Sequence, residues 1–294
     1  MKRIYVVGSM SMDLVVSTKR VPQKGETILG ESFFTTPGGK GANQAVAAAR
    51  LGEQVYMVGR IGDDQLGEEI YENLQRNKVR VDYVKPVADS ASGTAHITLC
   101  DNDNSIIVVP SANNEVTSSY VSTALKHIKA GDIVLLQQEI PEDTVSEVIT
   151  YCAEHDIITI LNPAPYRDLT AEVIDQATYL TPNETESAAM FGTNIDAALE
   201  QFPNKLIVTL GHQGAVYHNG NIKVMIPGFE RQVVDTTGAG DTFNGAFAVG
   251  LQKGYDIDQA LTFANLAASH AVTGMGAQGG MPYFNDLVDE FDVK

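Results

Sequence analysis

Val233-Val234-Asp235-Thr236-Thr237-Gly238-Ala239-Gly240-Asp241-Thr242-Phe243-Asn244-Gly245-Ala246 is the stretch on which the reading of this chain turns. A short apolar run ends at Asp235, two glycines bracket Ala239, and a helix begins near that alanine. With no Cβ in the way, successive N–H groups can close on an anion at the positive end of the helix. Asp241 then sits in the first turn, beside the anion. A carboxylate there repels phosphate, so its chemical use is as a base that takes a proton from a hydroxyl nucleophile. A first-turn Asp also complements the helix dipole, and for an isolated Asp that explanation would suffice. The whole string favours an anion hole with a base.

Outward from this helix (Ala239–Gln252), short β-branched runs alternate with amphipathic segments. Strands are expected at Ile4–Val7, Val55–Val58, Ile133–Leu136, Ile157–Leu161, Tyr179-Leu180 and Leu206–Leu210. Helices are expected at Gly41–Leu51, Gln65–Gln75, Glu142–Glu154, from about Asn183, and at Asp258–Val272. That alternation implies an α/β fold, a mostly parallel sheet with helices on both faces, whose ligands bind at the carboxyl ends of the strands. Two stretches break the rhythm, Met12–Phe34 and Ala95–Val109. The second holds two β-like runs, Ala95–Leu99 and Ile106–Val109, around the turn formers Asp101-Asn102-Asp103-Asn104. Both stretches read as antiparallel strands outside the main sheet, either a lid or an edge hairpin.

Composition limits the partners. Lys plus Arg is 20 against 37 Asp plus Glu, a net charge of −17 over 294 residues. That excludes a nucleic-acid binder, which needs a basic face, but allows small anions held by backbone N–H groups and cations. No apolar run approaches the roughly 18 residues of a membrane span. Lys2 and Arg3 lead straight into Ile4-Tyr5-Val6-Val7 with no secretory pattern, so the chain reads as cytosolic. Cys100 and Cys152 stand in no metal or redox spacing, and the six histidines form no ligand pair.

Three familiar motifs fail. Gly39-Lys40 is followed by Gly41 and preceded, five positions back, by Phe34, so there is no P-loop. The G-x-G-x-x-G string at Gly274–Gly279 follows a helix instead of a strand, with too little chain beyond it for a dinucleotide unit. No G-x-S-x-G elbow supports a serine hydrolase.

Four further segments carry chemistry. In Pro37-Gly38-Gly39-Lys40-Gly41-Ala42-Asn43-Gln44-Ala45, Lys40 and Asn43 offer hydrogen bonds where an Ala-rich helix starts. In Thr181-Pro182-Asn183-Glu184-Thr185-Glu186, Asn183 and Glu186 face one way on a first helical turn, as a Mg²⁺-supporting pair, a capping box, or both. Thr209-Leu210-Gly211-His212-Gln213-Gly214 closes a strand with a Gly-bracketed turn suited to phosphate or ribose. Asp13 and Glu139 each follow a strand, where they could bind sugar hydroxyls.

With both the Gly-Gly-Lys-Gly-Ala-Asn and the Asp-Thr-Thr-Gly-Ala-Gly-Asp signatures, the chain resembles the ribokinase-like (PfkB) family of carbohydrate kinases over nearly its whole length. Asn162-Pro163-Ala164-Pro165 and Gly276-Ala277-Gln278 add to the likeness and point to members that act on ribose. The resemblance implies a three-layer α/β/α sandwich plus a small β-sheet lid, with residues 1–294 forming one kinase domain and the lid strands within 12–35 and 94–110. It implies phosphorylation of D-ribose at O5 by ATP, with Asp241 as base and the Gly238, Ala239, Gly240 and Asp241 amides as anion hole. Ser11, Met12, Asp13, Gly39, Lys40, Gly41, Ala42, Asn43, Glu139 and Asp241 would bind the sugar. Asn183, Thr209, Leu210, Gly211, His212, Gln213, Gly214, Gly240, Asp241 and Asn265 would bind ATP, with Glu186 supporting Mg²⁺ through water. A monovalent cation, normally K⁺, would sit among Asp235, Thr237, Ala271, Gly274, Gly276 and Gly280, giving the glycine string a use as a carbonyl-lined loop. A homodimer through the lid follows from the same resemblance.

One departure bears on the sugar. Ribose-acting members usually carry Asn two residues before the first sugar-binding Asp, where this chain has Ser11. Deoxyribose, fructose or adenosine therefore remain alternative acceptors, and a non-catalytic sugar sensor is the alternative of another class.

Overall fold

The computed structural model describes residues 2–100 and 103–291. In chain order the elements are β1 (Ile4–Val7), β2 (Ser11–Ser17), β3 (Ser32–Gly38), α1 (Lys40–Arg50), β4 (Val55–Gly62), α2 (Gln65–Arg76), β5 (Arg80–Val87), β6 (Gly93–Cys100) and β7 (Asp103–Val109). Then follow α3 (Ser118–Leu125), β8 (Ile133–Leu136), α4 (Glu142–Glu154), β9 (Ile158–Leu161), α5 (Ala171–Gln176), β10 (Tyr179–Leu180), α6 (Glu184–Phe191) and α7 (Ile195–Gln201). The last are β11 (Ile207–Thr209), β12 (Gly214–His218), β13 (Lys223–Pro227), α8 (Ala239–Lys253), α9 (Ile257–Ala271), α10 (Gly276–Gly279) and α11 (Phe284–Leu287).

Six strands form a parallel sheet in the order β10-β9-β8-β1-β4-β5. Single parallel bridges, Leu180 to Leu206 and Asn183 to Thr209, extend it toward the antiparallel β11-β12-β13. Alternation along β1 explains the layers. Ile4 and Val6 enter one core with α1, α8 and α9, while Tyr5 and Val7 enter a second core with α3 and α4. Both faces of the sheet are thus covered by helices, as a parallel sheet requires. β1 is flanked by β4 on one side and β8 on the other, so the chain reverses its winding at β1/β8 and opens a crevice beyond their carboxyl ends.

Helices α1 and α8 are built from small residues and lie close together. A Cβ added at Gly245 would stand 2.8 Å from the Ala47 Cβ and 2.8 Å from the Gln44 carbonyl. That approach brings the start of α8 against the first turns of α1.

The stretches expected as antiparallel strands form a second sheet, β3-β2-β6-β7. Here the expectation needs correction: β2 runs antiparallel to β3 but parallel to β6, with Asp13 opposite Ala95. Alternation in sequence reveals a strand but not its partner or direction. Of the expected turn, Asp103 and Asn104 belong to β7, and Asp101 and Asn102 lie outside the described residues. The Val233-Val234 run is an exposed loop without strand pairing.

Candidate active site

Two cavities meet at the start of α8. One, of about 550 Å³, is lined by Thr209, Gly211, His212, Gly214, Ala239, Gly240 and Asn265 among others. The other, of about 470 Å³, is lined by Ser11, Asp13, Gly39, Lys40, Asn43, Glu139, Gly238 and Asp241, with Ala95, Ile97, Ile106 and Val108 of the second sheet across from them. Gly240 and Asp241, adjacent in sequence, therefore face different cavities. Gly238 makes this junction: it adopts φ 80°, and a Cβ there would stand 2.2 Å from the Ala277 carbonyl oxygen. Only glycine meets both demands.

Asp241 is 6% exposed. Its Oδ2 accepts a hydrogen bond from Asn43 Nδ2 at 2.9 Å and its Oδ1 from Gln44 Nε2 at 3.1 Å. Glu139 Oε2 accepts from the Ser9 hydroxyl and from the Lys40 N–H at 3.0 Å, tying the end of β8 to the start of α1. Asp13 is the most perturbed acid. Burial, then the negative charges of Glu139 and Asp241, push it up from 3.8 to about 7, against the pull of a hydrogen bond with Ser11. At Lys40 burial works against the charge, but Asp241, Glu139 and Glu186 together outweigh it, and the amine is held above its usual range. Lys40 thus answers a group of carboxylates of which Glu139 and Asp241 line the smaller cavity beside it.

Several expected site residues stand elsewhere. Met12 is 1% exposed and belongs to the core. Gly41 and Ala42 are buried behind the cavity, their N–H groups donating to the Ser9 hydroxyl (3.3 Å) and carbonyl (2.9 Å). Leu210 packs against the second core, and Gln213 is exposed, so only Thr209, Gly211, His212 and Gly214 of that turn line the larger cavity. Asn265 lines it too, but its Nδ2 donates to the carbonyls of Ile226 (3.0 Å) and Pro227 (3.1 Å), holding β13 to α9. Asn183 and Glu186 form a reciprocal capping box on α6, Asn183 Oδ1 accepting from the Glu186 N–H at 2.8 Å and Glu186 Oε2 from the Asn183 N–H at 2.9 Å. Burial raises the Glu186 carboxyl, with Asp241 adding to the rise and Asn183 and Lys40 opposing it.

The loop expected to hold a monovalent cation is not wholly open, because Gly276–Gly279 folds into the short helix α10. Its ends are nonetheless gathered. Val234 and Asp235 donate their N–H groups to the Val272 carbonyl at 2.8 and 3.2 Å. Asp235 accepts from Thr237 N (2.9 Å), Thr237 Oγ1 (2.7 Å) and Gly276 N (2.9 Å). Burial opposes ionisation of Asp235, but these hydrogen bonds prevail and lower its pKa. A carboxylate beside carbonyl and hydroxyl oxygens is an all-oxygen donor set, which fits a hard monovalent cation. Among the described residues no three His, Cys, Asp or Glu come together to hold a metal. No helix among them is long and apolar enough to cross a membrane.

Residues that the sequence reading did not single out complete the site. Ser9 anchors Glu139, Gln44 touches Asp241, and Arg167 lines the smaller cavity, held by Gln138 and by the Ile140 carbonyl (2.8 Å). Gln44 carried a readable signal, a large amide on the Ala-rich face of a helix that has little polar surface to spare.

The model of the pfkB family of carbohydrate kinases matches residues 1–283. The chain is 58% identical over 288 residues to the ribokinase of Bacillus subtilis (strain 168), covering 98% of each chain. It is 46% identical over 289 residues to the ribokinase of Lactococcus lactis subsp. lactis (strain IL1403), covering 98% of this chain and 96% of the other. The structure of Arabidopsis thaliana ribokinase complexed with ribose and ATP aligns with a TM-score of 0.90 at 34% identity, covering 100% of both chains. Likeness of this extent, in sequence and in fold, makes the chain a member of the pfkB family of carbohydrate kinases.

Proposed function

We propose that this chain, acting as a single kinase unit in the cytosol, transfers the γ-phosphoryl group of ATP to O5 of D-ribose, giving D-ribose 5-phosphate and ADP. The observation that carries the reading is the junction at α8. Asp241, buried and held by two amides, faces the smaller polar cavity, while Gly240 beside it faces the larger one. The ribokinase relatives support ribose as acceptor and ATP as donor.

Ribose occupies the smaller cavity, its hydroxyls bonded by Asp13, Lys40, Asn43 and Glu139. ATP occupies the larger one. Asp241 takes the O5 proton as O5 forms its bond to the γ-phosphorus and the bond to the ADP oxygen breaks; the proton then leaves to solvent. The N–H groups at Gly238–Asp241, on the positive end of α8, stabilise charge on the transferring phosphoryl. Glu186 would support a Mg²⁺ ion, which when bound would supply positive charge to neutralise the nucleotide phosphates. Asp235, Thr237 and the carbonyls of Ala271, Gly274, Gly276 and Gly280 would hold a monovalent cation that keeps the anion-hole turn in shape.

The second sheet acts as the lid. Ala95, Ile97, Ile106 and Val108 line the sugar cavity, Ile106 and Val108 still half exposed, while Val16, Phe33, Ile107 and Val109 are exposed on the reverse face. Val16, Phe33, Ile107 and Val109 form an apolar face that suits a second copy of the chain, so the lid pairs two subunits.

The test is the specificity constant for D-ribose, 2-deoxyribose, fructose and adenosine in an ATP-consumption assay, with the phosphorylated carbon assigned by NMR. Ribose should lead, with phosphate on C5. A lead for 2-deoxyribose would trace to Ser11, which lines the sugar cavity. Absence of turnover on every acceptor would favour a sugar sensor.

A further inference from the structure

The hydrogen bonds that reach Asp241 continue into a buried chain of amides whose direction is fixed. The Thr181 carbonyl can only accept, so Asn162 turns its Nδ2 toward it, at 3.1 Å. Asn162 Oδ1 is thereby left facing Gln44, which must present its own amide nitrogen, at 3.3 Å. The same Gln44 Nε2 reaches Asp241 Oδ1 at 3.1 Å. Gln44 Oε1 is locked from the other side by Gln137 Nε2 at 2.6 Å. A parallel branch fixes Asn43, whose Oδ1 accepts from Gln278 Nε2 at 2.9 Å, leaving its Nδ2 for Asp241 Oδ2. Gln278 Oε1 is in turn occupied by Asn73 Nδ2 at 2.8 Å. Gln44 and Gln137 are fully buried, and Asn43, Asn162 and Gln278 nearly so. Burying amides is costly unless they are paired; here Gln137 Oε1 lacks a partner, while the rest of the network sends one N–H donor to each oxygen of one carboxylate.

We infer that Gln44 is a positioning residue for the phosphoryl-transfer reaction: set by Asn162 and Gln137, it pairs with Asn43 to clamp both oxygens of Asp241, aiming the carboxylate's remaining lone pairs into the sugar cavity. This rests on the reading of Asp241 as base. Each oxygen of the carboxylate accepts from one fixed N–H donor, and a fixed rotamer keeps the base aligned on the hydroxyl it must deprotonate. The charged groups around Asp241 are Lys40 on α1, Asp13 on β2, Glu186 on α6 and Glu139 beyond β8, with Arg167 lining the same cavity. None of these is altered by a change at Gln44.

The test uses Gln44→Met, Gln44→Glu and Gln137→Met, the last keeping Gln44 but removing the donor on its Oε1. The readouts are kcat against pH at saturating ribose and ATP, ribose affinity by calorimetry, and melting temperature. Loss of a hydrogen bond to a charged group should lower kcat of Gln44→Met by ~10–100-fold at pH 7, with ribose affinity within about threefold of the unaltered chain. The acid limb of kcat, which reports the base in the ternary complex, should move up by at least about half a pH unit. Gln44→Glu, facing Asp241 with a second carboxylate, should move it further, and Gln137→Met less in the same direction. If Gln44 variants fail to fold, the Gln137→Met limb decides. A folded variant whose melting temperature falls while the limb stays in place would reduce Gln44 to a packing role and overturn the inference. Asp241→Asn, measured alongside, separates the two levels: a fully active Asp241→Asn removes the base itself, whereas an inert one with an unmoved Gln44 limb removes only the clamp.

Discussion

Replacing Asp13 by Asn should make the protein more stable as the pH rises, while weakening its hold on the sugar. Asp13 is 7% exposed and is pushed up from 3.8 to about 7 by burial and by the charges of Glu139 and Asp241. The folded state therefore prefers the protonated acid. The stability this contributes is fully present below 3.8 and is lost as the pH rises through about 7. The whole gap corresponds to about 4 kcal/mol, of which about 3 falls between pH 5 and 8.5. Side-chain relaxation and water entry lower that ceiling, so we expect the advantage of Asn over Asp to grow by about 1.5 kcal/mol across that range, roughly 3–6 °C in melting temperature. Calorimetric melts of both proteins at pH 5 and 8.5 measure it directly. Ribose affinity of the variant should fall by ~10–100-fold at pH 8.5, since an ionised acceptor is lost. A difference in melting temperature that does not change with pH, or that favours Asp13 at pH 8.5, would refute the argument that the sugar site is held together against its own charge.

Three further outcomes follow from the same geometry. Gly238→Ala should cost several kcal/mol of stability and nearly all turnover, because φ 80° and the Ala277 carbonyl 2.2 Å from a new Cβ both oppose it; a melt within about 1 °C of the unaltered chain would contradict this. Adding K⁺ to protein held in large organic cations should raise both turnover and melting temperature, and a response to neither K⁺ nor Na⁺ would remove the monovalent site between Asp235 and the glycine string. Ile107→Asp on the outer face of the second sheet, where Ile107 is 69% exposed, should convert a dimer to monomers in sedimentation at unchanged melting temperature per chain; a chain already monomeric before substitution would exclude pairing through the lid.

Legibility in the sequence followed the range of the interactions involved. The start of α8 was readable because its signal is local: two glycines, a short turn and a first-turn acid within a few residues. Helix α4 was readable to the residue because apolar positions recur on one face. The hairpin β12–β13 was missed although Asn219-Gly220 at its turn is a strong local signal, and β5 was missed because charges at Arg80, Asp82 and Lys85 mask an edge strand. The parallel pairing of β2 with β6 joins residues some eighty positions apart, and no alternation pattern encodes a partner at that distance. For the site, Glu139 was found because it lies beyond the end of β8, and Asp13 because it follows β1, although it belongs to β2. The residues that orient them were not: Gln137 and Gln278 look like ordinary surface amides in sequence, and only the fold buries them beside Gln44 and Asn43.

The central claim is that Asp241, at the junction of two cavities, is the base that makes ribose O5 a nucleophile toward ATP. The most direct measurement is kcat of Asp241→Asn with ribose and ATP, with both affinities measured on the same protein. The near-isosteric amide leaves the helix start intact but cannot accept the proton, so we expect kcat to fall by ~10²–10⁴-fold with ribose and ATP binding preserved. A kcat within about threefold of the unaltered chain, only ~0.7 kcal/mol of barrier, would contradict the account and leave Asp241 as a helix-capping acid.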